Sequence, residues 1–152
     1  MNTMNETVGR DGDTVKLLRE CDAGIQMGEK SIEDVLDNVN DKHFRDLLSK
    51  CKTEHEKLGI EVGELLGEHA DSGKSPNPLA TGMSWIKTNA KLMAEPTDAT
   101  VADLMTDGCN MGVKSLSRYL NQYKSADEKS KAIAEKLVNL ELRLTEDIRC
   151  YL

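Results

Sequence analysis

Four stretches of the chain place apolar residues at intervals of three and four positions, which is the spacing of an amphipathic α-helix. Asp13 is the predicted N-cap of the first stretch, and Ser125 with Glu128 forms a predicted capping box at the start of the fourth. The pattern therefore predicts four long helices, at about 13–39, 42–66, 100–123 and 126–150.

The segments between these stretches define the connections. The second stretch ends at "GEHADSGKSPNP", whose glycines and prolines do not continue a helix. A short amphipathic segment with Trp85 follows at about 79–93 and predicts a crossover helix between the second and third helices. We expect residues 1–12 to be disordered and residues 13–152 to form one domain.

The first and third helices carry nearly the same phrase, "MGEKSIEDVL" from Met27 and "MGVKSLSRYL" from Met111. A shift of 84 positions aligns these two helices, and a shift of 86 aligns the second with the fourth. The repeated unit is therefore a helical hairpin, and two such hairpins with a long connection predict a four-helix bundle.

The alignment pairs Gly24 with Gly108 and Gly28 with Gly112 on the buried stripes. Glycine inside a helix costs about 1 kcal/mol relative to alanine, so each one needs a reason. We expect close approach of the first and third helices to be that reason, with space for a ligand as the alternative.

Composition and charge narrow the class of protein. Aromatic residues make up 3% of the 152 residues, which is typical of an all-α protein and unlike a sheet. The net charge of −7 argues against nucleic acid or an anionic membrane as the main partner. The chain has no predicted membrane span or export signal, and its four cysteines form no CxxC pair, so we expect a cytoplasmic protein with reduced thiols.

From about Leu17 to the C-terminus, the sequence resembles the ferritin-like superfamily. The resemblance lies in "NDKHFRDLL", "GMSWIKTNAKLM" and "DGCNMGVKS" and is closer to the small bacterial four-helix-bundle proteins of unassigned function. It implies a ferritin-like bundle with pseudo-two-fold symmetry.

The di-iron chemistry of other branches of that superfamily uses inward carboxylates on helices 1 and 3 and Glu-x-x-His pairs on helices 2 and 4. This chain contains no Glu-x-x-His. Ile25 and Cys109 stand where the small bacterial relatives commonly have Glu after the glycine. Oxygen activation and iron storage are therefore not predicted.

The middle of the bundle nevertheless carries candidate ligands. His55, Cys109 and Glu141 fall within about a turn of one level, and Glu54 or Asp22 would supply a fourth ligand. Imidazole, thiolate and carboxylate together suit zinc or another divalent metal such as iron. The alternative, which we prefer, is a buried His55 hydrogen-bonded to Glu141, with Cys109 packing as a small apolar residue.

Other polar residues have simpler interpretations. We expect His43 and His69 to be solvated, and Lys30 and Lys114 to pack their stems beside the core with their ammonium groups in water. An anion site at the two lysines is the alternative.

Three functions remain open. The preferred one is a non-catalytic bundle that acts through protein interaction or self-association, with homodimer contacts at Met83, Trp85 and Ile86. The second is a metal-binding or redox protein that uses His55 and Glu141. The third is a small-molecule carrier that uses space opened by Gly28 and Gly112.

Overall fold

The computed structural model describes residues 3–69, 71, 73, 92 and 94–152, and all regular structure in this part of the chain is helical. The predicted all-α class is therefore confirmed for these residues. The predicted crossover helix and Trp85 lie outside the described residues, apart from Leu92. The helices are α1 (Thr3–Leu36), α2 (Lys42–Glu68), α3 (Asp98–Gln122) and α4 (Glu128–Asp147), followed by a 3-10 helix (Arg149–Tyr151).

Helix α1 begins at Thr3, ten residues before the predicted start at Asp13, and it includes most of the segment expected to be disordered. Apolar periodicity could not reveal this extension, because the regular stripe starts only near Leu17. Adding residues to an existing helix costs far less than starting a new one, so a polar extension can continue a packed helix.

The predicted capping box of α4 is wrong. The N-cap is Asp127, whose side chain accepts a hydrogen bond from the backbone N–H of Ser130. Ser125 lies in the preceding turn instead, and its own N–H donates to Asp13. Helix α2 begins in the same way, since Asp41 caps it by accepting from the N–H of Phe44.

The described helices form a bundle of two hairpins, α1 with α2 and α3 with α4, and α1 and α4 each contact the other three helices. Most of the predicted apolar stripes are buried in one core. The largest fully buried aliphatic side chains come from three of the helices and the end of the chain: Leu17, Leu18, Ile25, Ile32, Leu48, Ile133, Leu137 and Ile148.

Each hairpin turn donates backbone hydrogen bonds to side chains of the other hairpin. In the first turn, the N–H groups of Asn40 and Asp41 donate to Asp98 at the start of α3, over 2.7 and 3.0 Å. In the second turn, Asp127 N donates to Thr14 Oγ1 of α1 over 2.8 Å. These contacts satisfy backbone donors that a turn alone leaves unpaired, and they fix how the hairpins align.

The C-terminal 3-10 helix covers one end of the bundle. It stacks the ring of Tyr151 on Phe44 with centroids 4.4 Å apart, and it brings the Tyr151 hydroxyl 3.0 Å from Asp41 Oδ1. The same carboxylate thus caps α2 and accepts from Tyr151.

Candidate functional site

A cavity of about 780 Å³ lies at mid-bundle between α1 and α3, with side chains of α2 and α4 at its base. Its lining is mainly apolar and includes Ile32, Met105, Leu116, Leu137 and Leu144. Pockets that bury a drug-sized molecule have volumes of about 300–1,000 Å³ and apolar walls with a few polar groups. The cavity has this size and character.

All four aligned glycines line the cavity: Gly24, Gly28, Gly108 and Gly112. A Cβ on Gly24 would have one neighbour within 4 Å, Leu137 Cδ2 of α4 at 3.9 Å. The nearest neighbours of Gly28 and Gly112 lie on α2 and α4. Close packing of α1 against α3 therefore does not explain these three glycines, and the prediction of such packing is wrong for them.

Gly28 and Gly112 lie against two functional side chains. A Cβ on Gly28 would lie 2.7 Å from His55 Nε2, which is closer than real Cβ atoms come to any atom. A Cβ on Gly112 would lie 3.6 Å from Glu141 Oε2, an ordinary van der Waals contact. Gly28 is thus needed to seat the imidazole of His55, whereas position 112 has room for a methyl group.

His55 and Glu141 join the two hairpins at the base of the cavity. His55 Nε2 lies 2.7 Å from Glu141 Oε1, and His55 Nδ1 lies 2.8 Å from the backbone oxygen of Cys51 one turn earlier in α2. The ring is 1% exposed, and the glutamate side chain is 12% exposed. Because both ring nitrogens face acceptors, the doubly protonated imidazolium satisfies both contacts.

Burial of the ring opposes this charge, but hydrogen bonds to Cys51 and Glu141, together with the negative charge of Glu141, outweigh it and raise the pKa of His55 to about 10. The described base of the cavity therefore holds an imidazolium–carboxylate pair at neutral pH.

Cys109 borders the same pair from α3. Burial, followed by the negative charge of Glu141 and a hydrogen bond to it, raises the pKa of the Cys109 thiol. The side chain stays protonated and behaves as a weak donor in an apolar wall. All four cysteines are free thiols, with Cys150 exposed and the other three buried.

The structure brings three predicted site residues together: His55, Glu141 and Cys109. It places Glu54 elsewhere, 3.8 Å from Arg143 Nη1, and Asp22 accepts from Gln26 Nε2. Within the described part of the chain, no group of three or more His, Cys, Asp or Glu side chains is arranged to hold a metal ion.

The remaining candidates lie away from the cavity. His43 is exposed in the first turn of α2, and His69 is the C-cap residue of that helix. Lys30 Nζ lies 2.9 Å from Asp34 Oδ1, and Lys114 is exposed.

Several lining residues were not predicted from the sequence, because methionine and serine carry no ligand signature. Met27, Met111, Ser31 and Ser115 line the cavity together with the glycines between them. The signal that could have found them is the repeated "MGxKS" phrase itself, whose Met, Gly and Ser positions line the cavity in both helices.

Comparisons with protein-family models, with curated proteins and with solved structures found no match to this chain. No helix in the described ranges combines the length and the apolarity that a membrane span requires.

Proposed function

We propose that the protein binds a small, predominantly apolar molecule in the cavity between α1 and α3. The cavity of about 780 Å³ is the observation that carries this proposal. Of the functions considered from the sequence, the small-molecule carrier is the one that this geometry supports best.

The choice of residues around the cavity supports the proposal. Gly24 has room for a side chain, yet it leaves that room unfilled at a cost of about 1 kcal/mol in helix propensity. Unfilled apolar space also forfeits the dispersion contacts that a close-packed core makes. A bound molecule would restore those contacts, whereas a bundle that served only as a scaffold would be more stable with larger residues here.

The experiment fills the cavity and measures binding of the neutral fluorescent probe N-phenyl-1-naphthylamine. Gly24→Leu directs an isobutyl group into the space beside Leu137. Gly63→Leu is the matched control, because a Cβ there meets nothing within 4 Å and the residue does not line the cavity. Both changes also raise helix propensity, so neither should unfold the protein.

We expect wild type and Gly63→Leu to bind one equivalent of the probe, and Gly24→Leu to bind at least about tenfold more weakly, because bulk in the site removes buried contact area. Equal binding by all three proteins, or no binding by wild type, would contradict the proposal.

Metal binding is the second candidate from the sequence. Its proposed ligands His55, Glu141 and Cys109 lie next to one another, although they are not arranged to hold a metal ion in this structure. A metal would have to replace the hydrogen bond between His55 and Glu141 and remove a proton from each ligand that carries one. Mass spectrometry of untagged wild type and His55→Ala tests this candidate. Near-stoichiometric metal that is lost in the variant would support it, and metal-free wild type would remove it.

The ferritin-like relationship, the hairpin repeat and the cytoplasmic location are parts of the same proposal. The repeat is supported by the aligned caps Asp41 and Asp127 and by the aligned pair His55 and Glu141. The free thiols support a reducing compartment. Self-association, the preferred expectation from the sequence, is compatible with a ligand cavity and is tested by light scattering at several protein concentrations.

A further inference from the structure

The proposed cavity has a polarity that restricts its ligand. Among its described lining residues, His55 is the only cationic side chain, and there is no lysine or arginine. Both nitrogens of His55 are already engaged, with the Cys51 carbonyl and with Glu141. The described lining therefore offers no charged donor that could bind a carboxylate or phosphate of a ligand.

The same lining offers a strong acceptor. A carboxylate has about four lone-pair positions, and the described partners of Glu141 are His55 Nε2 on Oε1 and the Cys109 thiol. Oε2 lies beside Gly112, which has no side chain to cover it. Glu141 thus retains accepting capacity on the side of the cavity.

Charge points to the same conclusion. Glu141 lines the cavity, and its Oε1 lies 2.7 Å from Nε2 of the His55 imidazolium, which leaves Oε2 for a second donor. A charged donor on a carboxylate in a low-dielectric site makes a stronger hydrogen bond than a neutral one, which favours a cationic donor at Oε2.

We propose, on the basis of the function proposed above, that the ligand has an apolar body and one protonated amine, and that the amine binds Glu141 Oε2 beside Gly112. The apolar body then lies along the glycine-lined wall of α1 and α3. The hydrogen bond from His55 holds the carboxylate in place through its other oxygen.

Three probes with one apolar body and different polar groups test the proposal: 1-naphthylmethylamine, 1-naphthalenemethanol and 1-naphthoate. Their affinities are measured by isothermal titration calorimetry at neutral pH. In wild type we expect the amine to bind at least about tenfold more tightly than the alcohol, because only the ammonium group adds attraction between opposite charges to its hydrogen bond with Glu141. We expect the carboxylate to bind most weakly, because it brings a like charge to Glu141.

Two variants test whether Glu141 causes the preference for the amine. Glu141→Gln removes the negative charge and should reduce the preference for the amine to less than about threefold, a loss of most of the charge-assisted contribution. Glu54→Gln is the matched control, because Glu54 precedes His55 but does not line the cavity, and it should keep the preference of wild type.

Should Glu141→Gln fail to fold, as judged by thermal unfolding, Gly112→Val serves in its place. It adds methyl groups beside Oε2 without a change of charge, and it should weaken binding of the amine more than binding of the alcohol.

The outcomes separate this inference from the proposed function. Similar affinities for the three probes, tighter binding of the carboxylate, or an amine preference that survives in Glu141→Gln would overturn the amine assignment and leave cavity binding standing. If neither these probes nor N-phenyl-1-naphthylamine binds wild type, both proposals fail.

Discussion

The two hairpins build the same mid-bundle contact with different chemistry. In the first hairpin Gly28 lies against the ring of His55, with no space left between them for a methyl group. In the second hairpin Gly112 lies against the carboxylate of Glu141 with that space still free. The ring fills its site and is fixed by two hydrogen bonds, whereas Glu141 keeps room on one side. The first hairpin is thus the rigid half of the site and the second is the accessible half.

The largest expected effect comes from removing the ring. His55→Ala leaves a void and an unpaired carboxylate at the base of the cavity, and breaking such a buried pair costs about 3–5 kcal/mol. Urea unfolding at pH 7 measures the change in the free energy of unfolding. His43→Ala, at an exposed position of the same helix, should change it by less than about 0.5 kcal/mol. A cost below about 1 kcal/mol for His55→Ala would mean that the pair contributes little.

The second-largest expected effect is the difference in stability between alanine substitutions at Gly28 and at Gly112. Gly28→Ala should destabilise the protein by about 1–2 kcal/mol, because overpacking against the fixed ring exceeds the gain in helix propensity. Gly112→Ala should instead stabilise it by up to about 1 kcal/mol, as should Gly63→Ala in open space. Urea unfolding of the three variants gives the difference. Equal effects at positions 28 and 112 would show that the ring is not held more tightly than the carboxylate.

The third effect is a dependence of the free energy of unfolding on pH, which arises from His55 in the first hairpin. The pKa of His55 is raised to about 10 in the folded protein, above its unfolded value, so the pair's stabilisation is complete below about pH 6.5 and is lost as pH rises toward 10. From pH 6.5 to pH 8, the free energy of unfolding should fall by about 1.5 kcal/mol more in wild type than in His55→Ala. Both proteins contain the same four cysteines, so the ionisation of unfolded thiols cancels in this comparison. Parallel pH profiles for the two proteins would contradict a charged His55.

The smallest effect concerns the helix caps, in which the two hairpins are alike. Asp127→Ala should cost about 1 kcal/mol, since it leaves the N–H of Ser130 without its side-chain acceptor. Ser125→Ala should have almost no effect, because only the backbone of Ser125 bonds to Asp13. Thermal unfolding of both variants measures this. A larger loss from Ser125→Ala would restore the capping box that the sequence suggests.

The all-helical fold could be predicted from the sequence, because helix periodicity and the polar connections are local signals. The predicted starts of α2 and α3 lie within two residues of those found, at Lys42 and Asp98. The cap of α4 was misplaced because Ser-x-x-Glu and Asp-x-x-Ser overlap there, and contacts with Asp13 and Thr14 of α1 hold the preceding turn. Those contacts are set by tertiary structure, which local patterns do not contain.

The candidate site could be predicted only in part. The repeat alignment predicts that His55 and Glu141 lie at the same level of the bundle, and the structure joins them by a hydrogen bond. The cavity was only the alternative expectation from the sequence, because a glycine in a helix is compatible with a close contact, which we preferred, and with an open space. Only the positions of neighbouring atoms separate Gly28, which seats a ring, from Gly24, which borders free volume.

The contact between His55 and Glu141 has a consequence for the symmetry that the bundle can have. Two identical hairpins associated about a two-fold axis would place histidine against histidine or glutamate against glutamate at this level, and neither arrangement pairs a cation with an anion. An acid that faces a base requires two hairpins with different sequences. A single chain that carries both hairpins can evolve this asymmetry, whereas a symmetric homodimer of one hairpin cannot.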